Sequence, residues 1–508
     1  MQGMRAGRRL CDRPFHLSGL PGRPRSLSAA RRSYRYLPAV AGEDSPAVVW
    51  FRDDLRVSYH PALREAVDSG RPVLPVYVLD DSGDSVRALG GASRWWLHHA
   101  LEALDASLRK RGSRLVLRHG DAAGEIATVL RQTGAGLLTM SRRYSPGEQE
   151  EDGRVRRAAE RSGVAVSTHT ASLLHEPGDV LNGSGERFAV FSPFFRALTS
   201  AGAPRRPLPA PSSITGWSGT VHCEDLDSLH LLPTRPDWAG GLAETWTPGE
   251  KGAHRRVDEF VHHRLARYAA HRDEPAAEVS SRLSPHLKFG EVSPYQLWHR
   301  VHDADAPADV RTKFLTELGW REFDYDLLAD RDPLETVNVH RQFDAFPWAD
   351  VDEAVLRAWQ QGRTGIPLVD AGMRQLWTTG WMHNRVRMVV ASFLVKNLRY
   401  DWRLGEQWFW DTLVDADPAN NPAQWQWVAG SGADAAPYFR VFNPVLQAQK
   451  FDPRGDYVAH WVPELRHLDA KGRHEPWSVG GAKGYPDPVV DLKASRQAAL
   501  DAYQRMRD

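Results

Sequence analysis

A parallel-sheet α/β domain followed by an all-α domain is the fold class the sequence predicts. Three observations predict it. Short apolar, β-branched runs alternate with helical stretches over residues 46–173, residues 174–250 lose periodicity, and residues 251–508 read as helix after helix with no further strand series. Strands alternating with helices imply βαβ units.

The strand candidates are VVWFRDDLRV (48–57), VLPVYVLD (73–80), RLVLRHGD (114–121), GLLTMSRRY (136–144) and VAVSTHT (164–170). Between the second and third lies SRWWLHHALEALDASLRKRG (93–112). Helical spacing puts its Trp96, Leu97, Ala100, Leu101 and Leu104 on one stripe, suited to covering a sheet. Residues 174–250 contain APRRPLPAPSS and much Gly, Pro and Ser, the composition of an inter-domain connector. Helices are then expected in HRRVDEFVHHRLARYAAHR, SPYQLWHRVH, RTKFLTELGWREFDYDLL, DEAVLRAWQQG and MRQLWTTGWMHNRVRMVVASFLVKNL.

Composition narrows the class. With 42% hydrophobic and 25% charged residues in 508, the chain reads as a globular protein large enough for two cores. No apolar run is long enough to cross a bilayer. Two cysteines, Cys11 and Cys223, support neither a disulfide framework nor a Cys-based zinc site. They favour a reducing setting, expected to be the cytoplasm. The net charge of +1 divides into +8 over residues 1–36, with nine arginines and one acid, and −7 over the rest. Residues 1–45 are expected to be a disordered basic segment. Any binding of nucleic acid by the acidic body must come from a local patch.

Three features carry chemistry. Ten of the 19 tryptophans lie between Trp320 and Trp427. That density fits core packing, flat walls for a heteroaromatic ligand, or electron hopping between rings. Ser280, Ser281 and Ser284 in SSRLSPHLKFGEVSP precede a helix and suit either phosphate binding or ordinary capping. In GWMHNRVRMVVASFLVK (380–396), helical spacing pairs Asn384 with Met388 and His383 with Arg387. Arg387 among apolar residues needs a buried partner, and Asp415 and Asp417 of VDADPANNPAQWQW are candidates. The result is a structural ion pair or the lining of a ligand pocket. G-x-G-x-x-G after the first strand, a P-loop and H-E-x-x-H are all absent from the sequence.

Taken together, WFRDDLRV, SSRLSPHLKFGEVSP, ELGWREF (317–323), TGIPLVDAGMRQLWTTGWMHNRVRM (364–388), DWRLGE (401–406) and DADPANNPAQWQWVAGSGADAAPYFRVFNP (415–444) resemble the photolyase/cryptochrome family over about residues 46–500. The resemblance implies an antenna domain (46–173), a connector (174–250) and a helical FAD domain (251–508). It implies that Tyr268, Ser280, Ser281, Leu283, Ser284 and Phe314 hold FAD. Arg387 would pair with Asp415 beside the flavin, with Asp417 near its polar edge and Asn421 facing its N5. It further implies UV-damaged DNA containing pyrimidine dimers as substrate. Trp320 and Trp427 would flank a flipped dimer, Glu317 and Asn384 would contact its base edges, and Met388 would lie beside it. Arg385, Arg440 and Lys450 are the implied phosphate contacts. Trp425, Trp402 and Trp348, in that order, are the implied electron path that photoreduces the flavin.

The implied reaction is splitting of the cyclobutane dimer by light-driven electron transfer from reduced FAD, in a monomer. A second chromophore, methenyltetrahydrofolate, is implied by Glu148 after RRYSPG. A cryptochrome-type receptor would have no need of the Glu317, Trp320, Met388 and Trp427 set. A (6-4) photolyase uses a histidine where Met388 stands. A flavin reductase would need a nicotinamide fingerprint. No metal site is expected.

Overall fold

The computed structural model describes residues 45–81, 86–331, 333–435 and 439–508. The expected basic disordered segment, residues 1–45, lies outside the described residues but for Ser45. The described residues fall within one compact unit, Ala39–Asp508.

Strands β1 (Ala47–Phe51), β2 (Val73–Leu79), β3 (Val116–His119), β4 (Leu137–Ser141) and β5 (Ala165–His169) form one parallel sheet in the order β3-β2-β1-β4-β5. Helices α1 (Pro61–Asp68), α2 (Gly91–Arg109), α3 (Ala122–Thr133) and α4 (Pro146–Arg161) make the crossovers. Side chains of β1 alternate between the faces. Val49 and Phe51 pack with Trp96, Leu97, Ala100, Leu101 and Leu104 of α2, the stripe the spacing predicts. Val48 and Trp50 pack with Ile126, Val129 and Leu130 of α3 and Val155 of α4.

The first strand is shorter than its sequence suggests and ends at Phe51. Arg52, Asp54 and Arg56 are buried, and a strand with apolar neighbours on both faces offers them no partners. The chain therefore turns. Asp54 accepts the Arg52 N–H at 2.9 Å and pairs with His60 at 2.9 Å. Arg56 donates to Gly290 O at 2.7 Å and Ala171 O at 3.2 Å, tying the sheet to the helical part.

The connector is largely irregular but carries α5 (Phe191–Ser200) and α6 (Gly240–Thr245). The helical part comprises α7 (Glu250–Glu259), α8 (Leu265–His271), α9 (Ser284–Lys288), α10 (Pro294–His302), α11 (Ala308–Leu328), α12 (Glu353–Gln360), α13 (Pro367–Thr379), α14 (Asn384–Ser392), α15 (Trp402–Thr412) and α16 (Asn420–Ala429). Four more follow: α17 (Pro444–Phe451), α18 (Asp456–Trp461), α19 (Ala470–His474) and α20 (Leu492–Arg507). The run 373–398 is not one helix. Gly380, left-handed at φ +64°, ends α13, and His383 caps α14 by accepting the Arg385 N–H. His383 thus precedes the helix on which spacing paired it with Arg387.

Far from being a passive spacer, the connector is fastened to α11. Glu322 accepts the N–H groups of Leu174 (2.7 Å) and His175 (3.3 Å), and Asp326 accepts that of Gly178 at 2.8 Å. Burial pushes the Glu322 carboxyl up from 4.5 to about 7. The folded chain therefore binds more protons than the unfolded chain between those values, and this group makes stability fall as pH rises through that window. The expected loss is at most about 3 kcal/mol. Glu322→Gln keeps an acceptor and removes the titration. Denaturant unfolding across the window should show a flatter pH slope in the variant, and an unchanged slope would refute the assignment.

Candidate flavin and lesion site

Helices α14, α15, α16 and α11, with the chain between α8 and α9, bring together most of the implied site. Arg387 on α14 donates from Nη2 to Asp415 Oδ2 at 2.8 Å and Oδ1 at 3.1 Å, and from Nε to Met382 O at 2.8 Å. The Asp415 side chain is 3% exposed, so the pair is largely withdrawn from water. Asp417 behaves differently. Its Oδ1 accepts the N–H groups of Ala419 and Asn420, and its Oδ2 accepts the Asn420 amide. It holds the turn that leads into α16, and burial raises its pKa although Arg321 opposes the shift.

Asn421 on α16 donates from Nδ2 to Glu406 Oε1 at 2.8 Å and Glu406 O at 3.1 Å. Its carbonyl oxygen is left as the group available to a ligand. Glu406, 1% exposed, is held by both Arg87 nitrogens at 2.7 and 3.0 Å, and Arg87 stacks over Trp410 at 4.1 Å. The amide's orientation is therefore fixed by a carboxylate that an arginine neutralises.

The serine loop settles its own ambiguity. Helix α9 is a five-residue turn whose N-cap position is Leu283, with no side-chain capping bond. Ser280, Ser281 and Ser284 make no side-chain hydrogen bond among the described residues, so they are not caps. Arg282 between them sits at φ +53° with its guanidinium 5.0 Å from the Trp381 ring, and makes no ion pair among the described residues, the Glu278 carboxylate acting on it only through space. Burial lowers its pKa. Buried Tyr268 and Phe314 stand edge to face at 5.4 Å. Hydroxyls plus an unpaired guanidinium suit a diphosphate. An aromatic wall, the Arg387–Asp415 pair and a presented amide suit an isoalloxazine. The residues present thus fit FAD.

A second cluster adjoins the first. Glu317 and Trp320 lie on α11, and Asn384 and Met388 one turn apart on α14. Glu317 is ion-paired with Arg272, and the adjacent Asp273 pairs with Arg385 at 2.9 Å. The segment after α8 thereby joins α11 to α14. Arg385 also stacks over Phe451 at 4.4 Å, so it is a held cation, not a free surface charge. Neighbouring His383 is buried, which pushes its pKa down to about 4 and keeps it neutral. Trp320 is half-buried and stacked on Phe191 at 3.8 Å. Trp427, also half-buried, lines a cavity of about 390 Å³ with Phe439, Arg440 and Phe442. Arg440 and Lys450 are exposed.

The three indoles of the implied electron path are less tightly linked. Trp402 is fully buried and donates to Asn338 Oδ1 at 2.9 Å. Trp348 meets Phe346 at 4.5 Å, whereas Trp425 contacts the rings of Phe409 (4.9 Å) and Trp359 (6.4 Å). Among the described residues, no two of the three indoles are in ring contact.

Arg87, Arg272, Asp273, Arg282 and Glu406 escaped the sequence reading. Arg282 and Glu406 stand inside the quoted segments SSRLSP and DWRLGE, where a charge beside a candidate ligand residue is the available signal. Arg87, Arg272 and Asp273 gain meaning only through contacts distant in sequence. The described residues show no cluster suited to a metal and no helix long and apolar enough to cross a membrane.

A parallel α/β sheet backed by a helical body with this donor set defines a two-part flavoprotein. Comparison with known proteins places it more closely. One family model, described as DNA photolyase, matches residues 47–212, and another, described as FAD binding domain of DNA photolyase, matches residues 314–505. A deoxyribodipyrimidine photo-lyase of Agrobacterium fabrum is 47% identical over 91% of this chain and 98% of its own length. Cryptochrome-1 of Arabidopsis thaliana is 36% identical over 92% of this chain and 71% of its own. The crystal structure of a class III photolyase from Agrobacterium tumefaciens superposes with a TM-score of 0.88 at 45% identity, covering 94% of this chain and 99% of that one. The chain belongs to the DNA photolyase family.

Proposed function

We propose that the chain is a deoxyribodipyrimidine photo-lyase that splits cyclobutane pyrimidine dimers in UV-damaged DNA. One observation carries the reading. Helix α14 bears Arg387, which pairs with Asp415 and would lie beside the flavin, together with Asn384 and Met388, which would face the lesion. A single rigid helix thereby sets the separation of electron donor and acceptor. Bound in its reduced form, FAD supplies the light-driven electron that opens the cyclobutane ring and then returns to the cofactor.

The chain's own residues bind and orient. Arg282 with the three serines receives the diphosphate, and Asn421, held by Glu406, presents its carbonyl oxygen to flavin N5. Glu317 and Asn384 contact the base edges of the dimer. An unpaired carboxylate would repel a dimer that has gained an electron. The Arg272 guanidinium on Glu317 offsets that charge. Trp320 and Trp427 flank the dimer, and Arg385, Arg440 and Lys450 meet the phosphates.

The test is irradiation of thymine-dimer DNA with reduced holoprotein. Blue light restores the bases and darkness does not. Repair of (6-4) lesions alone, or none, overturns the reading in favour of a (6-4) photolyase or a cryptochrome-type receptor. The protein is proposed to act as a cytoplasmic monomer.

A second chromophore, methenyltetrahydrofolate, belongs to the same proposal. Glu148 is committed as a helix cap, since its carboxylate accepts the Ser145 and Tyr144 N–H groups. It also lines a pocket of about 400 Å³ at the C-terminal ends of β1 and β4, with Arg52, Arg142, Arg143, Lys288 and Arg321. Strand order reverses between β1 and β4, which is where open parallel sheets bind ligands. Asp53 and Asp54 line the same pocket and each of the five cations is ion-paired, so a folate's carboxylates would share these cations with the acids that now hold them. The absorption spectrum of purified protein tests it by showing a folate band beside the flavin bands.

Trp425, Trp402 and Trp348 are proposed as the path that photoreduces oxidised FAD. Trp402→Phe removes an oxidisable ring, keeps most of the packing and gives up one hydrogen bond to Asn338. Photoreduction should slow roughly tenfold or more, an electron-transfer barrier raised by at least about 1.4 kcal/mol. Chemically reduced variant should still repair dimers. If Trp359→Phe slows photoreduction and Trp402→Phe does not, the electron reaches Trp425 from Trp359 and the assigned path is wrong.

A further inference from the structure

Phe191 is the first residue of the connector helix α5. Its ring lies parallel to that of Trp320, 3.8 Å away and 8° from coplanar, and it is 6% exposed. One turn on, Phe195 stacks on Phe191 at 5.5 Å. Phe195 occupies a notch made by Gly319, where a Cβ would come within 2.3 Å of its ring. The glycine beside Trp320 therefore lets α5 approach the lesion wall. Phe191 thus touches the element bearing one lesion-flanking indole.

We propose that Phe191 is a positioning residue for lesion recognition. It covers one face of Trp320, fixes the plane of the indole, and leaves the opposite face for a flipped pyrimidine. The bound dimer then completes a stack of Phe191, Trp320 and base. Pre-set planes suit a flipped dimer because no side-chain ordering remains to be done on binding. Ordinary bases stay paired within the duplex and do not reach the stack. The inference rests on the dimer-repair reading and adds the residue that orients its recognition wall.

The experiment measures dark binding of holoprotein to thymine-dimer duplex and to the same duplex undamaged, by fluorescence anisotropy. Phe191→Leu and Phe191→Met, which keep apolar volume without a ring, should weaken dimer binding roughly fivefold to tenfold, the scale of one lost aromatic stack. Undamaged DNA should bind as before, and Phe191→Trp should restore the dimer preference. Phe194→Leu is the packing control. Phe194 is also buried on α5, more deeply than Phe191, but meets Phe323 at 5.4 Å instead of Trp320. This variant should lose thermal stability and keep the dimer preference. Wild-type preference in both ring-less variants overturns the proposal, as does a parallel loss for undamaged DNA or an equal loss in Phe194→Leu. A wild-type protein with no preference for dimer DNA overturns the repair reading itself, a result visible before any variant is compared.

Discussion

Arg387→Ala should purify with most of its FAD missing. The guanidinium makes two contacts to the nearly buried Asp415 and a third to Met382 O. Alanine leaves the Asp415 carboxylate in a largely dry site with no cation. Breaking such a pair costs about 3–5 kcal/mol. If that cost falls on the flavin-binding form, FAD affinity drops by about two to four orders of magnitude. Asp415→Asn should be milder, because an amide can still accept from Arg387. The ratio of flavin to protein absorbance reads occupancy, and thermal unfolding with and without added FAD separates loss of affinity from loss of fold. Wild-type flavin content in Arg387→Ala would show that the pair is a scaffold and not part of the flavin site.

Glu317→Ala should lower light-driven repair by about tenfold or more, the scale of removing one charged hydrogen-bonding group from a half-buried site. FAD content should change little, since Glu317 faces Arg272 and the lesion position. The variant also frees Arg272, so a double variant with Arg272→Ala is informative. If the two act as a unit, the double variant repairs about as well as Glu317→Ala alone. Glu317→Gln keeps a polar side chain of the same shape and should fall between wild type and alanine. Repair per light flash at saturating dimer DNA isolates this effect from binding. Near-normal repair by Glu317→Ala would remove Glu317 from the site and leave recognition to Asn384 and the two indoles.

The fold was legible because its signals are local. Alternating β-branched runs and the stripe from Trp96 to Leu104 need nothing beyond near neighbours in sequence to be read. The same locality misled at two places. WFRDDLRV reads as one strand until its three buried charges are given partners: Ser141 and Asp152 for Arg52, His60 for Asp54, and Gly290 and Ala171 for Arg56. The run 373–398 reads as one helix because a lone Gly380 is a weak breaker in sequence, while in space it is the left-handed end of α13.

The site divides in the same way. Arg387 with Asp415, Asn384 with Met388, and the serines of SSRLS were readable because long segments keep their order and spacing. The sequence by itself determined the two-part architecture, the family and the residue types available for a flavin and a damaged base. Tertiary structure alone decided which charges neutralise one another and which faces stay free: Arg272 on Glu317, Asp273 on Arg385, Arg87 on Glu406, Phe191 on Trp320. Each of these pairs joins residues more than forty positions apart. Ion pairing and ring stacking act over a few ångströms of space and are indifferent to distance along the chain, so such partners are fixed only when helices and connector close against one another.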